Sequence, residues 1–292
     1  MTPRSIDHLV LPTADLDVAR ARLDALGFTV APDGVHPFGT ANACVYFADD
    51  TFLESLAVHD QALADAACAD GNVFVARDRA FRTNRGEEGF SSIVMASDDA
   101  DADHAEFVAA GLSAGPRLDF SRAYRDAEGV ARTVSFRLAF TAPADLQDTF
   151  FFTCERVDAP SGGRGALAVH VNAVQGLSRI VAVAPSPRSF DTFLAALANR
   201  HPQTGNGELL VQTGNAEIGV LTPSAMATRF RTAPVKGGSL ELAGIVFASR
   251  SLAQTAQALD ATGVDYSHLS NLIIVPPAPG QGAFFAFEET AS

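Results

Sequence analysis

One pattern recurs four times along this chain of 292 residues: an apolar strand ending near Pro, Ser or Asp, an Ala/Leu-rich helix, then further strand-like runs. A repeat of this size is one supersecondary unit that cannot bury its own apolar face, so the copies must pack on one another. The first copy has its strand at Ile6–Leu11, a helix near Ala14–Leu26, and strands at Ala41–Ala48 and Thr51–Val58. The second has Phe90–Ala96, a helix near Ala100–Ala110, then Thr133–Phe140 and Thr149–Cys154. The third has Leu177–Ala184, a helix near Ser189–Ala198, then Glu208–Val211 and Glu217–Leu221. The fourth has Leu242–Ala248, a helix near Ser251–Thr262, then Asn271–Val275 and Ala283–Phe287.

Helix ends agree with this division. Leu16, Ala19, Leu23 and Leu26 share one face at helical spacing. Gly27, Gly111 and Gly263 stand where a left-handed C-terminal cap is expected. The Gly-, Pro- and Ser-rich run Asp158–Gly165 reads as a linker, and Thr222–Ser239 as a second loose stretch. His59–Gly89 is a long insertion with a helix near Gln61–Ala67. The expected class is α+β: four tandem βαβββ modules forming two paired domains, residues 1–157 with the main hollow and a degenerate pair at 166–292.

Strand alternation sorts the candidate site residues by face. It places His8 with Ile6 and Val10, opposite Leu9 and Leu11, and Glu54 with Phe52, Leu56 and Val58. Asn42, Cys44 and Tyr46 share a face of the strand between them. A polar row on otherwise apolar strands needs partners, because an unpaired buried polar group costs about 1–3 kcal/mol. An imidazole and a carboxylate on one curved sheet can face the same hollow, as a divalent-metal site requires. Arg137 shares a face with Ser135 and Ala139 and is a candidate cation for an anionic substrate. In the later copies Ser92, Arg179 and Gly244 fall at the position of His8, and Phe152 and Ala286 at or near that of Glu54.

Composition excludes several classes. A net charge of −13 with no basic run argues against nucleic acid or an anionic membrane as partner. No apolar run approaches membrane-spanning length. Cys44, Cys68 and Cys154 are widely spaced with no CxxC, which predicts reduced thiols and a cytoplasmic location. The opening residues Met1 to Arg4 run straight into a strand, so no leader is expected. No GxSxG elbow, P-loop or dinucleotide fingerprint is present.

The four-unit pattern resembles the vicinal-oxygen-chelate superfamily, which includes glyoxalase I, extradiol dioxygenases and antibiotic-resistance binding proteins. Within it, the chain is similar to the glyoxalase-like family that carries a strand His, a His-x-x-Gly-Thr-x-Asn run and a closing Glu. Here these are His8, His36-Pro37-Phe38-Gly39-Thr40-Ala41-Asn42, and Glu54 within Leu53-Glu54-Ser55-Leu56. The His-x-Asn that precedes that family's third unit corresponds to His170-Val171-Asn172. The resemblance implies two units paired around one cavity, and a metal-dependent small-molecule lyase, isomerase or dioxygenase. His8 and Glu54 would hold a divalent Fe, Mn, Zn or Ni, with His36 and Glu54 in catalysis. His36, Asn42, Tyr46, Arg137, His170 and Asn172 would contact substrate. The alternative from another class is a metal-free binding protein that sequesters a small molecule between Phe52, Tyr46, Phe136 and Phe152. A third is a scaffold. The second half would support the first or form a homodimer contact.

Overall fold

The computed structural model describes residues 2–125, 131–157, 164–231 and 239–290. The predicted linker lies mostly outside the described residues. The fold is α+β, with two eight-stranded mixed sheets, each made of two modules. In the first half the elements are β1 (Ile6–Pro12), α1 (Leu16–Ala25), β2 (Gly34–Val35), β3 (Thr40–Tyr46), β4 (Phe52–Val58), α2 (Gln61–Ala69), α3 (Val73–Arg85), β5 (Ser92–Ser97), α4 (Ala100–Ala109), β6 (Leu118–Arg125), β7 (Ala131–Thr141) and β8 (Phe150–Val157). The second half has β9 (Val174–Val183), α5 (Asp191–Ala198), β10 (Gln203–Gly205), β11 (Glu208–Gln212), β12 (Glu217–Leu221), α6 (Pro223–Phe230), β13 (Glu241–Ser249), α7 (Leu252–Thr262), β14 (Ser267–Leu269), β15 (Leu272–Val275) and β16 (Phe284–Glu289).

Strand order is β2-β3-β4-β1-β5-β8-β7-β6 in one sheet and β10-β11-β12-β9-β13-β16-β15-β14 in the other. Each module pairs its first and last strands in parallel, and two modules join through antiparallel first strands, β1 with β5 and β9 with β13. The first strands therefore lie at the centre of each sheet, so the residues they carry are the most enclosed.

The β1–β5 ladder contains one irregularity. Ile6 faces Met95 and His8 faces Val94, so Asp7 is an extra residue, a β-bulge. A bulge breaks the period of two, and strict alternation therefore misplaces Ile6. Its side chain joins Leu9 and Leu11 in the helix-side core, while Val10 lies on the hollow side. The same device recurs in the second sheet, where Leu177 faces Phe247 and Arg179 faces Val246, leaving Ser178 as the extra residue.

Two further expectations are corrected. The insertion after β4 is not one helix but two, α2 and α3, whose Ala64, Val73, Phe74 and Val75 pack into the concave face of the first sheet with Val10, Leu56 and Phe152. The stretch from Thr222 is not loose at its start: Thr222 caps α6, Pro223 opens it, and Met226 and Phe230 pack on Val181 and Phe284 of the second sheet. The segment joining two modules thus returns over the hollow in both halves.

The helix-covered faces of the two sheets share one core. Ile6, Leu9, Phe28, Phe47 and Phe151 cluster with Leu177, Ile180, Phe247, Phe285 and Phe287. Each fully buried side chain of this kind contributes roughly 1.5–3 kcal/mol. Polar clasps reinforce the join. The Asn215 side chain accepts from Ile6 N at 2.8 Å and donates to Ile6 O at 2.8 Å, and Arg22 Nε donates to Gln281 Oε1 at 2.9 Å. Asn215→Ala leaves both Ile6 backbone groups without that partner. It is expected to lower stability by roughly 1–3 kcal/mol while unfolding remains one cooperative transition, as urea denaturation followed by circular dichroism would show. A neutral effect would mean that the clasp bears no weight.

Candidate active site

The predicted polar row does converge, and it does so on the concave side of the first module. His8 on β1 and Glu54 on β4 sit one step apart along the parallel pair, since His8 faces Phe52 and Val10 faces Glu54. His8 Nε2 is 3.4 Å from Glu54 Oε2, and His36 Nε2 is 3.7 Å from Glu54 Oε1. Asn42 Nδ2 donates to Glu54 Oε1 at 2.5 Å and lies 3.4 Å from His36 Nε2. All four residues are buried.

The His-x-x-Gly-Thr-x-Asn run is the turn that brings His36 to this point. His36 N donates to Thr40 O at 2.8 Å, and the ring Nδ1 lies 2.8 Å from Thr40 Oγ1. Gly39 has φ +86°, and a Cβ there would stand 2.5 Å from both Ala64 N and Asp60 O, so the first turn of α2 fits only over a glycine. Asn42 follows on β3 and aims its amide at the same carboxylate. Because an amide NH₂ only donates, His36 Nε2 carries the lone pair and Nδ1 carries the proton, donated to Thr40 Oγ1.

Two residues that alternation could not reveal complete the cluster. The bulge turns Asp7 to the hollow side, where Asp7 Oδ1 accepts from His8 Nδ1 at 2.5 Å. Arg156, on β8 of the second module, reaches Asp7 Oδ1 and Oδ2 at 2.6 Å each. Phe52 stacks on His8 with ring centroids 4.4 Å apart, and the Arg156 guanidinium lies over the Phe52 ring at 5.3 Å. Tyr46 abuts Phe52 at 5.4 Å, and the Arg164 guanidinium covers Tyr46 at 3.9 Å.

The two imidazoles are driven in opposite directions. Burial alone would lower the His8 pKa, but hydrogen bonds and charge from Asp7 and Glu54 outweigh it and raise it. Burial lowers His36 to about 4, with Glu54 opposing and Arg122 and His8 adding to the fall. Burial would raise Glu54, yet His8, His36 and Asn42 hold it down at about 2. The resting cluster is therefore a His8 imidazolium and a neutral His36 on either side of one carboxylate. Cys44, opposite Glu54 on β3, is pushed up to about 12 by burial and is no nucleophile.

Other sequence candidates lie elsewhere. His170 Nδ1 accepts from Thr29 N at 3.0 Å and Nε2 donates to Tyr46 O at 2.9 Å, between Phe28 and Phe47. Asn172 donates to Leu26 O at 2.8 Å and accepts from Val174 N at 3.1 Å. Both clasp the two halves and are used up in doing so. Arg137 is on the face away from the hollow, which Phe136 and Leu138 occupy, and pairs with Glu155 at 3.6 Å. The second sheet has an open cavity of about 860 Å³, lined in part by Arg179, Gln212, Glu217, Arg229 and Glu288. There Arg179 binds Glu217 and Glu208, and Ser178 binds Glu288, so the charges satisfy one another.

The donor set does not fit a metal centre as it stands. Among the described residues no three His, Cys, Asp or Glu side chains are grouped to hold an ion. The two imidazoles address different oxygens of Glu54, one of which is already bound by Asn42.

The pKa directions predict a pH signature. Between pH 6.5 and about 4 the unfolded chain protonates His36 while the fold excludes that proton, so this group costs stability as pH falls through that window. His8 contributes stability in full below pH 6.5 and loses it as pH rises through its elevated folded pKa. Glu54 contributes above pH 4.5 and loses it as pH falls toward about 2. Ring ¹⁵N NMR at pH 7 should find His8 doubly protonated and His36 as the neutral Nδ1–H tautomer, the latter unchanged to pH 5. Two rings titrating together near pH 6.5 would contradict the assignment.

Comparison with known proteins places the chain by family and by fold. The glyoxalase-like domain family matches residues 6–198. No curated protein matches the chain significantly in sequence. Among solved structures, a hypothetical protein from Staphylococcus aureus is similar at TM-score 0.67 and 13% identity, covering 98% of this chain and 100% of its own. A mutant of 4-hydroxymandelate synthase from Streptomyces coelicolor is similar at TM-score 0.60 and 14% identity, with coverage of 99% and 93%. The Mn(II)-bound glyoxalase from Novosphingobium aromaticivorans is similar at TM-score 0.57 and 13% identity, with coverage of 99% and 83%. At such identities the likeness speaks for fold. The family model covers most of the chain, and the protein is therefore a member of the glyoxalase-like domain family.

Proposed function

We propose that the chain is a small-molecule enzyme that moves a proton next to a carbonyl, as a lyase or isomerase would, with the first hollow as its working site. The observation that carries this reading is the convergence of two buried imidazoles, His8 and His36, on the two oxygens of Glu54, where their surroundings push the rings' pKa values in opposite directions. Neighbouring titratable groups pushed apart in pKa are the usual mark of an acid and a base. His36 Nε2 carries the ring's lone pair, in a long contact with the Asn42 amide at 3.4 Å, and is the base. Burial makes His36 a weak base that holds the proton only briefly, and the Glu54 carboxylate beside it offsets part of the cost of that charge. The His8 imidazolium, fixed by Asp7, supplies a positive charge already in place for an oxyanion forming on substrate. Asn42 keeps Glu54 in register with both rings. The partly exposed Tyr46, Phe52, Phe120 and Arg122 border the cluster and form the side from which a ligand meets it.

Solvent deuterium exchange tests this. Wild-type protein in D₂O is expected to exchange the C–H beside the carbonyl of small keto compounds, read by loss of proton NMR signal. His36→Asn should slow exchange about 10²–10⁴-fold, and Glu54→Gln should also slow it. Equal rates in wild type and both variants would remove the proposal. Stoichiometric Fe, Mn, Zn or Ni in the purified protein, lost in His8→Ala and Glu54→Ala, would replace it with a metal-centred one.

A further inference from the structure

The hollow contains a cation with no ion-pair partner among the described residues. Arg122 lies on β6, two residues from Phe120, whose ring packs edge-on to His36 at 5.8 Å. Its guanidinium is over the Phe136 ring at 5.7 Å. Nη1 fills the place where a Cβ would stand on Gly34, and Asn42 Oδ1 is 2.6 Å from that same point, so the guanidinium is a near neighbour of the Asn42 amide. Arg122 is also close enough to His36, Cys44 and Tyr46 to act on their charges. Its Nε is buried and has no hydrogen-bond partner among the described residues. No described carboxylate forms an ion pair with it.

This sets Arg122 apart from its neighbours. Arg156 is held by Asp7, Arg137 is paired with Glu155, and in the second hollow Arg179 and Arg229 are both committed to glutamates. A buried guanidinium N–H left unsatisfied is costly, and an arginine fork recognises planar carboxylates in particular. Among the described residues the carboxylate nearest in the cluster, Glu54, is already taken by His8, His36 and Asn42. The missing partner therefore belongs to something that enters the hollow.

We infer that Arg122 is the anchor for a carboxylate on the substrate, and that the substrate is a small organic acid with a flat, aromatic or unsaturated body. Phe52, Phe120 and Phe136 supply faces for such a body, and Arg122 and His36 both touch the Phe120 side of the hollow. The fork holds the carboxylate, which leaves the neighbouring carbon and its oxygen to His36 and the His8 imidazolium. Gly34 is part of the device, because any side chain there would occupy the space of Nη1. The inference rests on the first hollow being the working site.

Benzoate and its neutral isostere benzamide are suitable probes, titrated against the full chain with the arginine Nε–H and histidine ring resonances as readout. Benzoate is expected to bind saturably and shift Arg122 Nε–H and the His36 ring, while benzamide binds at least ten-fold more weakly. Arg122→Met should lower benzoate affinity at least ten-fold, and Arg122→Lys less. Gly34→Ala, which keeps the charge but displaces the guanidinium, should also weaken benzoate without changing the melting temperature much. Equal binding of benzoate to wild type and Arg122→Met, or equal binding of benzoate and benzamide, overturns the anchor, as does no saturable binding of benzoate. Benzoate binding that depends on Arg122, together with deuterium exchange indifferent to His36→Asn, keeps the anchor and sinks the proton-transfer reading instead.

Discussion

The charged row of the first hollow depends on one extra residue in a strand. Without the bulge at Asp7, that carboxylate would point into the helix-side core and Ile6 into the hollow. With it, Asp7 meets His8 Nδ1, the ring is held with Nε2 toward Glu54, and the imidazole stays charged despite burial. The second sheet keeps the same backbone irregularity but places Ser178 and Arg179 at the corresponding points. The scaffold repeats while the chemistry mounted on it differs.

The charges alternate along the cluster: Arg156, Asp7, His8 and Glu54 run plus, minus, plus, minus. A buried charge is tolerable only when partnered, and here each has a partner on at least one side. Because Arg156 comes from the second module and His8 and Glu54 from the first, neither module could sustain the row alone. That is a physical reason for the pairing of modules, beyond the burial of apolar faces. His36 is the exception, since it lies beside the row and stays neutral in the same apolar surroundings.

Much of this was legible in the sequence, and each failure has a physical cause. Helical periodicity and glycine positions located α1, α4 and α7 closely, and apolar runs located the central strands. The edge strands β2, β10 and β14 are two or three residues long, too short to carry a pattern. The α3 helix carries four arginines among its thirteen residues, which masked its apolar face as a charged run. The convergence of His8, His36, Asn42 and Glu54 was readable because the motif is local and its strands are regular. Asp7 and Arg156 were not, since a bulge leaves no mark on composition and β8 meets β1 only through the tertiary fold. Arg137 is a candidate from sequence and Arg122 is not, because β6 carries no apolar run that would mark its inward face.

The amide of Asn215 has two addresses. It fastens the backbone of Ile6, next to the bulge, and it also lines the large cavity of the second sheet. The apolar core that surrounds this clasp draws on both sheets without a seam. Such a chain is not divisible into an active piece and a spare one. The stretch that carries the family likeness ends at residue 198, before Asn215, so a fragment cut there would keep the motif and lose the brace beside its acid. The second half serves the first as a keystone rather than as a backup copy.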